Sequence, residues 1–165
     1  MGLYYLDTSA LAKLYVQEAG TQQLLVLTGS SRSHHFAVLN LARVELHSAV
    51  RRRQREGDLE AADAERILAR FEQHLETKFV RQLVSEPLID MAISLVERHA
   101  LRAYDAVQLA GCLALKAASG QDSPIFVCSD HRLVEAAEAE GLVAMNPAAE
   151  EQKTRPFRGG PVFSF

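Results

Sequence analysis

Short apolar runs alternate along this chain with longer segments in which apolar residues recur every three or four positions. The short runs are bounded by turn or capping residues and predict buried β-strands at residues 3–7, 34–39, 79–84, 125–128 and 142–145. The longer segments have the spacing of amphipathic helices. The predicted helices open at Thr8 or Ser9, at Gly20–Thr21, after Asn40, after Asp58, at Pro87, at Arg102 and at Leu133.

Strands that alternate with helices predict an α/β fold in which helices cover both faces of a central parallel sheet and the crossovers are right-handed. The punctuating residues agree with this pattern: Asn40 is predicted to cap a helix, Pro87 suits a first helical turn, and Gly120 follows a helix end. The pattern fades after residue 147. The sequence therefore predicts one domain over residues 1–147 and a C-terminal tail over residues 148–165, to which the pattern assigns no role.

The composition is that of an ordinary globular domain. The chain has 165 residues, of which 48% are hydrophobic and 24% are charged, and this length suffices for a core without disulfide staples. The net charge is −3, so the chain has no overall cationic field that would attract nucleic acid. Any attraction to nucleic acid has to be local or mediated by a metal ion.

Cysteine usage and hydropathy favour a cytoplasmic protein. Cys112 and Cys128 lie among apolar residues and fit neither a disulfide framework nor a zinc-finger spacing, so we expect buried, reduced thiols. The sequence contains no run of about 18 apolar residues that would span a membrane. Asp7 comes too early for the apolar part of a signal peptide. We therefore expect a cytoplasmic location without membrane contact.

Four acidic residues stand where the predicted backbone geometry changes. Asp7 ends the first predicted strand and Asp130 follows the fourth, so both fall at the carboxyl edge of the sheet, where open parallel sheets bind ligands. Glu45 and Asp105 lie on predicted helices beside apolar stripes instead of on a charged face. Buried acids are costly unless they are paired or bound to metal. Because hard divalent cations take oxygen ligands, four acids at one edge predict a site for metal-assisted chemistry.

Each acid taken singly also has a structural explanation. Asp7 and Asp130 could serve only as helix caps, and Glu45 and Asp105 could serve only as partners of neighbouring arginines. Capping alone does not explain why four acids should converge on one sheet edge, and a functional site is the favoured interpretation.

The residues around these acids resemble the motifs of PIN-domain ribonucleases, in particular the VapC-type toxins of bacterial and archaeal toxin–antitoxin pairs. The resemblance runs from about Leu3 to Pro147, and the motifs around Asp7 and Asp105 are its most specific part. The similar segments occur in the order and spacing of the family; they are Tyr5–Tyr15, Val44–Leu46, Tyr104–Ala110 and Phe126–Leu133.

The resemblance implies a three-layer α/β/α sandwich with a central parallel sheet and an endoribonuclease that depends on Mg²⁺ or Mn²⁺. It also implies an RNA substrate, a cognate antitoxin protein that neutralises the enzyme, and a homodimer. Carried over by the resemblance, the Ser9 hydroxyl would support the site, and the catalytic residues and metal ligands would be Asp7, Glu45, Asp105 and Asp130. Of these, Asp7 and Asp105 are expected as direct ligands, Glu45 as a ligand or a base, and Asp130 as a ligand acting through water.

Other functions remain open at this point. A housekeeping PIN nuclease of RNA processing would share the site and lack only an antitoxin partner. A PIN-fold module that binds RNA or protein without cleaving would be expected to lose acids, and here all four are present. A receiver-type phosphoacceptor would need a second acid early in the chain, and Gly2–Leu6 supplies none.

Further features allow two interpretations each. Cys128 stands where many relatives have Thr or Ser, which leaves open whether a hydroxyl supports the site. The cationic run Arg51–Arg55 could complement the dipole at a helix end or contact RNA or the antitoxin, and Lys13 could reach phosphate or lie on the surface. The apolar residues of the early helices could form a groove for a partner helix or pack in the core; they are Leu11, Leu14, Tyr15, Leu24 and Leu25.

Overall fold

Five parallel strands form a central sheet in the computed structural model, which describes residues 2–29, 34–120 and 122–149. The strands lie side by side in the order β3-β2-β1-β4-β5, and every neighbouring pair is parallel. Their bounds are β1 (Gly2–Leu6), β2 (His34–Leu39), β3 (Phe79–Gln82), β4 (Ile125–Val127) and β5 (Val143–Met145).

Helices cover both faces of this sheet. Helices α1 to α4 pack against one face, where they form one hydrophobic core with the sheet, and α5 to α7 form a second core on the opposite face. The helices are α1 (Thr8–Ala12), α2 (Thr21–Gly29), α3 (Ala42–Glu56), α4 (Ala61–Thr77), α5 (Glu86–His99), α6 (Ala103–Ala118) and α7 (His131–Ala139).

The alternation of side chains along β1 builds both cores at once. Tyr4 and Leu6 contribute to the core under α1 to α4, whereas Tyr5, between them, contributes to the core under α5 to α7. Successive side chains of a strand point to opposite faces, so a strand that is buried on both faces reads as a continuous apolar run. The predicted three-layer α/β/α sandwich with a parallel sheet is confirmed.

The strand order reverses between β1 and β4. From β1 the chain moves outward through β2 to β3, then returns to β4 on the other side of β1 and continues to β5. A reversal of this kind leaves a crevice outside the carboxyl ends of the two central strands, where ligands bind in open α/β sheets. Asp7 follows β1 directly, and the segment Cys128–Asp130 follows β4.

Three helix starts differ in detail from the prediction. Asn40 does not cap α3: its amide donates to the Gln82 carbonyl of β3 at 2.8 Å, so it continues the sheet, and Leu41 stands at the N-cap without a side-chain hydrogen bond. Helix α1 is capped by Asp7 and not by Thr8 or Ser9. Helix α7 begins at His131, before the predicted start, because Asp130 caps it.

The main apolar residues of the early helices do not form the groove that was considered for a partner helix. Leu11, Leu14, Tyr15 and Leu24 are at most 2% exposed and lie in the core, so the packed alternative is the correct one for them. Of the two interpretations considered for Lys13, the surface position is wrong. Its side chain is buried, and its ammonium lies 3.0 Å from Glu18 Oε2, because an ion pair lets the long side chain stay inside.

One prediction falls largely outside the described residues. Most of the proposed tail, residues 150–165, lies beyond them, so the boundary between domain and tail stays a prediction. Among the residues that are described, no helix combines the length and the hydropathy that crossing a bilayer requires.

Candidate active site

Asp7 is buried at the carboxyl end of β1, where the chain turns into α1. Its Oδ2 accepts hydrogen bonds from Ser9 Oγ at 2.6 Å, from Ser9 N at 3.3 Å and from Cys128 Sγ at 3.3 Å. Burial raises the pKa of Asp7, and the hydrogen bonds from Ser9 and Cys128 oppose that rise without cancelling it. Asp7 therefore caps α1, as the capping interpretation predicted, and its hydrogen bonds also hold the carboxylate in one orientation.

Cys128, directly after β4, supplies one of the hydrogen bonds to Asp7. Burial, and then the charge of Asp7, raise the pKa of this thiol, so it remains protonated and can donate to Asp7. Ser9 Oγ accepts from Ser129 N at 3.0 Å while it donates to Asp7. The ends of β1 and β4 are thus tied together at the Asp7 carboxylate, and the Ser9 hydroxyl lies against it.

Glu45 reaches the same edge from the first turn of α3. Its Oε2 accepts from Thr8 Oγ1 at 2.5 Å and from Gln108 Nε2 at 2.6 Å. Burial raises the pKa of Glu45, and the charges of Asp7 and Asp105 raise it further. Arg43, the neighbouring base that could have neutralised Glu45, instead donates to Glu72 at 2.8 Å.

A buried glutamine positions Glu45, and the sequence did not reveal it. Gln108 is 1% exposed, donates to Glu45 and to Thr8 Oγ1, and accepts from the Tyr5 hydroxyl at 3.2 Å. Gly111 makes room for this tyrosine, because a Cβ there would overlap the Tyr5 hydroxyl. The spacing of Gln108 could have revealed it. Gln108 lies three residues after Asp105 on α6 and therefore on the same helical face, and it is a polar residue within an apolar stripe.

Asp105 is the least restrained of the four acids. It lies half-buried in the first turn of α6, and its carboxylate has no hydrogen-bond partner within the described parts of the chain. Burial raises its pKa, and the charges of Asp7 and Asp130 add to the rise, whereas Arg102 and Arg132 oppose it.

Asp130 is exposed and caps α7. Its Oδ1 accepts from Arg132 N at 2.8 Å and from Leu133 N at 3.2 Å, which satisfies two amides at the start of the helix. Its position beyond β4 and its charge, felt by Asp105, place it at the same edge as the other acids. The capping role explains its orientation and leaves its second oxygen without a described partner.

The four carboxylates share one electrostatic neighbourhood and make no close ion pair in the described chain. Asp7 acts on both Glu45 and Asp105, and Asp105 is also affected by Asp130. Among residues 2–29, 34–120 and 122–149, none of the four makes an ion pair within 4.0 Å. In the same part of the chain, no three His, Cys, Asp or Glu side chains are placed closely enough to surround an ion.

The chemistry of the donor set fits a hard divalent cation. Glu45 and Asp130 are each oriented through one oxygen only, and the second oxygen of each has no partner in the described chain. Carboxylate oxygens beside the Ser9 and Thr8 hydroxyls are ligands of the type that Mg²⁺ and Mn²⁺ prefer. An ion that enters would also relieve the mutual repulsion of the acids.

Comparison with known proteins identifies the family and the fold. The model of the PIN domain family matches residues 4–139. The chain is 32% identical over 156 residues to Ribonuclease VapC47 of Mycobacterium tuberculosis (strain CDC 1551 / Oshkosh), covering 89% of this chain and 98% of that protein. The crystal structure of PAE2754 from Pyrobaculum aerophilum shares the fold, with a TM-score of 0.56 and 21% identity over 87% of this chain and 92% of that one. The chain therefore belongs to the PIN-domain family, as a VapC-type member.

Proposed function

We propose that this protein is an endoribonuclease that hydrolyses RNA phosphodiester bonds with Mg²⁺ or Mn²⁺ and acts as the toxin of a toxin–antitoxin pair. One observation carries the proposal: Asp7, Glu45, Asp105 and Asp130 lie around the switch point of the sheet, each within electrostatic range of at least one other, and none of them has an ion-pair partner in the described chain. Membership in the PIN-domain family, and a relative that is itself named a ribonuclease, support it.

In this proposal Asp7 and Asp105 bind the cation directly, and Asp130 acts through water. When bound, the cation polarises the scissile phosphate and makes a bound water more acidic. Ser9 and Cys128 fix the orientation of Asp7 by their hydrogen bonds to Oδ2. A carboxylate that is already oriented loses little conformational freedom when it binds a ligand, so these bonds favour a preorganised site.

Glu45 is the group best suited to take a proton from the attacking water, and it can also serve as a ligand. Burial and the neighbouring acids raise its pKa, which strengthens it as a proton acceptor near neutral pH. Thr8 and Gln108 hold one of its oxygens. The other oxygen is left to face water or the cation.

The proposal includes three further expectations: a cognate antitoxin that neutralises the protein, a homodimer and a cytoplasmic location. Membership among the VapC-type proteins supports the antitoxin partner. The homodimer and the location are proposed from the resemblance of the sequence motifs alone.

Cleavage of RNA tests the proposal. Purified protein is expected to cleave single-stranded RNA with Mg²⁺ or Mn²⁺ and not in EDTA, and Asp7→Asn or Asp105→Asn is expected to abolish cleavage, because each substitution removes a charged ligand. Asp90→Asn, at an exposed position of α5, is the matched control and should cleave like the wild type. Full cleavage by the wild type in EDTA, or by either site variant, would refute the metal-dependent site.

Growth of a host tests the role as a toxin. Expression of the wild type alone should slow growth, expression of Asp105→Asn should not, and a small co-encoded protein should relieve the inhibition by binding the toxin. A protein that cleaves RNA in vitro, leaves growth unchanged and co-purifies with no partner would instead be a housekeeping nuclease of RNA processing.

A further inference from the structure

Two clefts open on either side of the acidic edge and meet at Asp130. The first has a volume of about 140 Å³ and is lined by Arg102, Asp105, Asp130 and Arg132; we call it the Arg102 cleft. The second has a volume of about 470 Å³; we call it the Arg52 cleft, and its lining includes Ser9, Arg52, Arg53, Ser129 and Asp130. Both clefts have Asp130 in their lining, so they adjoin at this residue, and we call the two clefts together the path.

The arginines of this path differ from most arginines elsewhere on the surface. Arg52, Arg102 and Arg132 are exposed, and none of them lies within 4.0 Å of a carboxylate in the described parts of the chain. By contrast, acids hold the side chains of Arg43, Arg51, Arg81 and Arg98. The unpaired guanidinium groups of the path are free to bind an anion.

Among the described residues that line the Arg52 cleft, only one cation is available. Glu18 binds both the Lys13 ammonium, at 3.0 Å, and the Arg53 guanidinium, so these two cations are already engaged. Arg52, on the neighbouring position of α3, has no such partner in the described chain. The cationic run at the end of α3 is therefore divided: Arg51 and Arg53 are structural, and Arg52 faces the path.

A phosphodiester strand needs cations on this path because the acidic edge repels it. Four carboxylates act against each phosphate that approaches, and a cation bound among them compensates only near the scissile group. Guanidinium groups bind phosphate through paired N–H donors, which makes arginine the suitable residue for the flanking positions.

We propose that a single strand of RNA crosses the acidic edge from one cleft to the other, with Arg102 and Arg132 binding a phosphate on one side of the scissile bond and Arg52 binding a phosphate on the opposite side. This rests on the proposed ribonuclease function. The Arg102 cleft has room for a phosphate group, whereas the Arg52 cleft falls in the range of roughly 300–1,000 Å³ that is typical of small-ligand sites and can admit a nucleotide.

The salt dependence of RNA binding tests this path. The full chain with Asp7→Asn, to prevent cleavage, is titrated with a labelled single-stranded RNA in Mn²⁺ at several salt concentrations. Added to this background, Arg52→Ala, Arg102→Ala and Arg132→Ala should each weaken binding and flatten the plot of log K against log salt, by about 0.7 for each phosphate that the protein no longer neutralises. Arg55→Ala removes an exposed arginine of the same helix that lines neither cleft, and should leave the slope unchanged.

Truncated RNAs test the direction of the path. RNA shortened from one end of the cleavage site should abolish the effect of Arg102→Ala and preserve that of Arg52→Ala, and shortening from the other end should do the reverse. The proposal is overturned if the three variants bind like Arg55→Ala, if both effects depend on the same end, or if the protein binds no RNA. Arginine-dependent binding together with a wild type that cleaves nothing would support the path and refute the nuclease function, so the two failures are distinguishable.

Discussion

The acids at the sheet edge and the acids on the helical surface are in opposite electrostatic states. On the surface, Glu72 lies 2.8 Å from Arg43 Nε and 2.8 Å from His47 Nε2, and the hydrogen bond from Arg43 is the main reason that its pKa is lowered. Glu140 is similar, with His99 and Arg98 as its partners and a lowered pKa. Hydrogen bonds from an arginine and a histidine, together with the charge of the arginine, favour the ionised form of each carboxylate.

At the sheet edge the partners are neutral. Asp7 accepts from a hydroxyl, an amide and a thiol, and Glu45 accepts from a hydroxyl and a side-chain amide. Burial raises the pKa values of both, and the charges of Asp7 and Asp105 raise that of Glu45 further. Neutral donors orient a carboxylate without neutralising it, and the negative charge that remains is available to a ligand. The contrast distinguishes acids that stabilise the fold from acids kept for binding.

The largest expected difference between the two groups is in catalysis. Asp105→Asn should reduce the rate of RNA cleavage by more than the roughly 10–100-fold that is typical when an outer partner of a metal site is lost, because Asp105 is proposed as a direct ligand. Glu72→Gln should leave the rate unchanged. Steady-state cleavage of one RNA by the two variants measures this difference, and equal losses would mean that the edge acids have no special role.

The next effect concerns the partner that orients Glu45. Gln108→Met keeps the side-chain volume but removes the donor to Glu45 and the acceptor for the Tyr5 hydroxyl, so cleavage and affinity for Mn²⁺ should each fall roughly 10–100-fold. The unpaired hydroxyl should also cost about 1–3 kcal/mol of stability. Gln73→Met, at an exposed position of α4, is the control. Loss of stability with unchanged Mn²⁺ affinity would make Gln108 purely structural.

Thermal unfolding with and without Mn²⁺ should distinguish the acids of the sheet edge from the acids of the helical surface by the direction in which the metal-free melting temperature changes. Glu45→Gln removes a charge that like charges oppose, so the metal-free melting temperature should rise or stay the same. The stabilisation by Mn²⁺, about 2.7 kcal/mol at 100 times the dissociation constant for the wild type, should shrink. Glu72→Gln breaks a surface pair and should cost up to about 1 kcal/mol without changing the Mn²⁺ response. A large loss of metal-free stability in Glu45→Gln, with the Mn²⁺ response intact, would remove Glu45 from the site.

The smallest expected effect is on the pH dependence of stability in EDTA. The folded state raises the pKa of Glu45 above its ordinary 4.5, so the stability linked to its proton is present below 4.5 and is lost as the pH rises through the raised value. The folded state lowers the pKa of Glu72, so its contribution is present above 4.5 and is lost as the pH falls through the lowered value.

Denaturant unfolding of both variants between about pH 3 and pH 7 measures this linkage. Relative to the wild type, Glu45→Gln should gain stability as the pH rises, whereas Glu72→Gln should lose stability over the same rise. Salt should weaken the second effect more than the first, because the Glu72 pair is the more exposed. Slopes of the same sign would contradict the division into two groups.

Local sequence determined much of the fold. The spacing of apolar residues that marks a strand or a helix can be recognised from neighbouring residues alone. We therefore predicted correctly the alternation of strands and helices, the parallel sheet, and the positions of Asp7 and Asp130 beyond their strands. The prediction for Asn40 was wrong because a backbone bond to Gln82 of β3 competes with capping, and such a bond is invisible in the local pattern.

Tertiary structure alone decided how the acids are held. Gln108 meets Glu45 across 63 positions of the chain, and Cys128 meets Asp7 across 121, so neither contact follows from the periodicity of one helix or strand. The same holds for Glu18, which engages Lys13 and Arg53 and so leaves Arg52 as the available cation of its cleft among the described residues. Residues at the edge of the sheet could be predicted from the sequence because the geometry of strands and helices repeats locally along the chain. Which partner each side chain finds depends on how the crossovers pack distant helices against the sheet, and that is settled only when the chain folds.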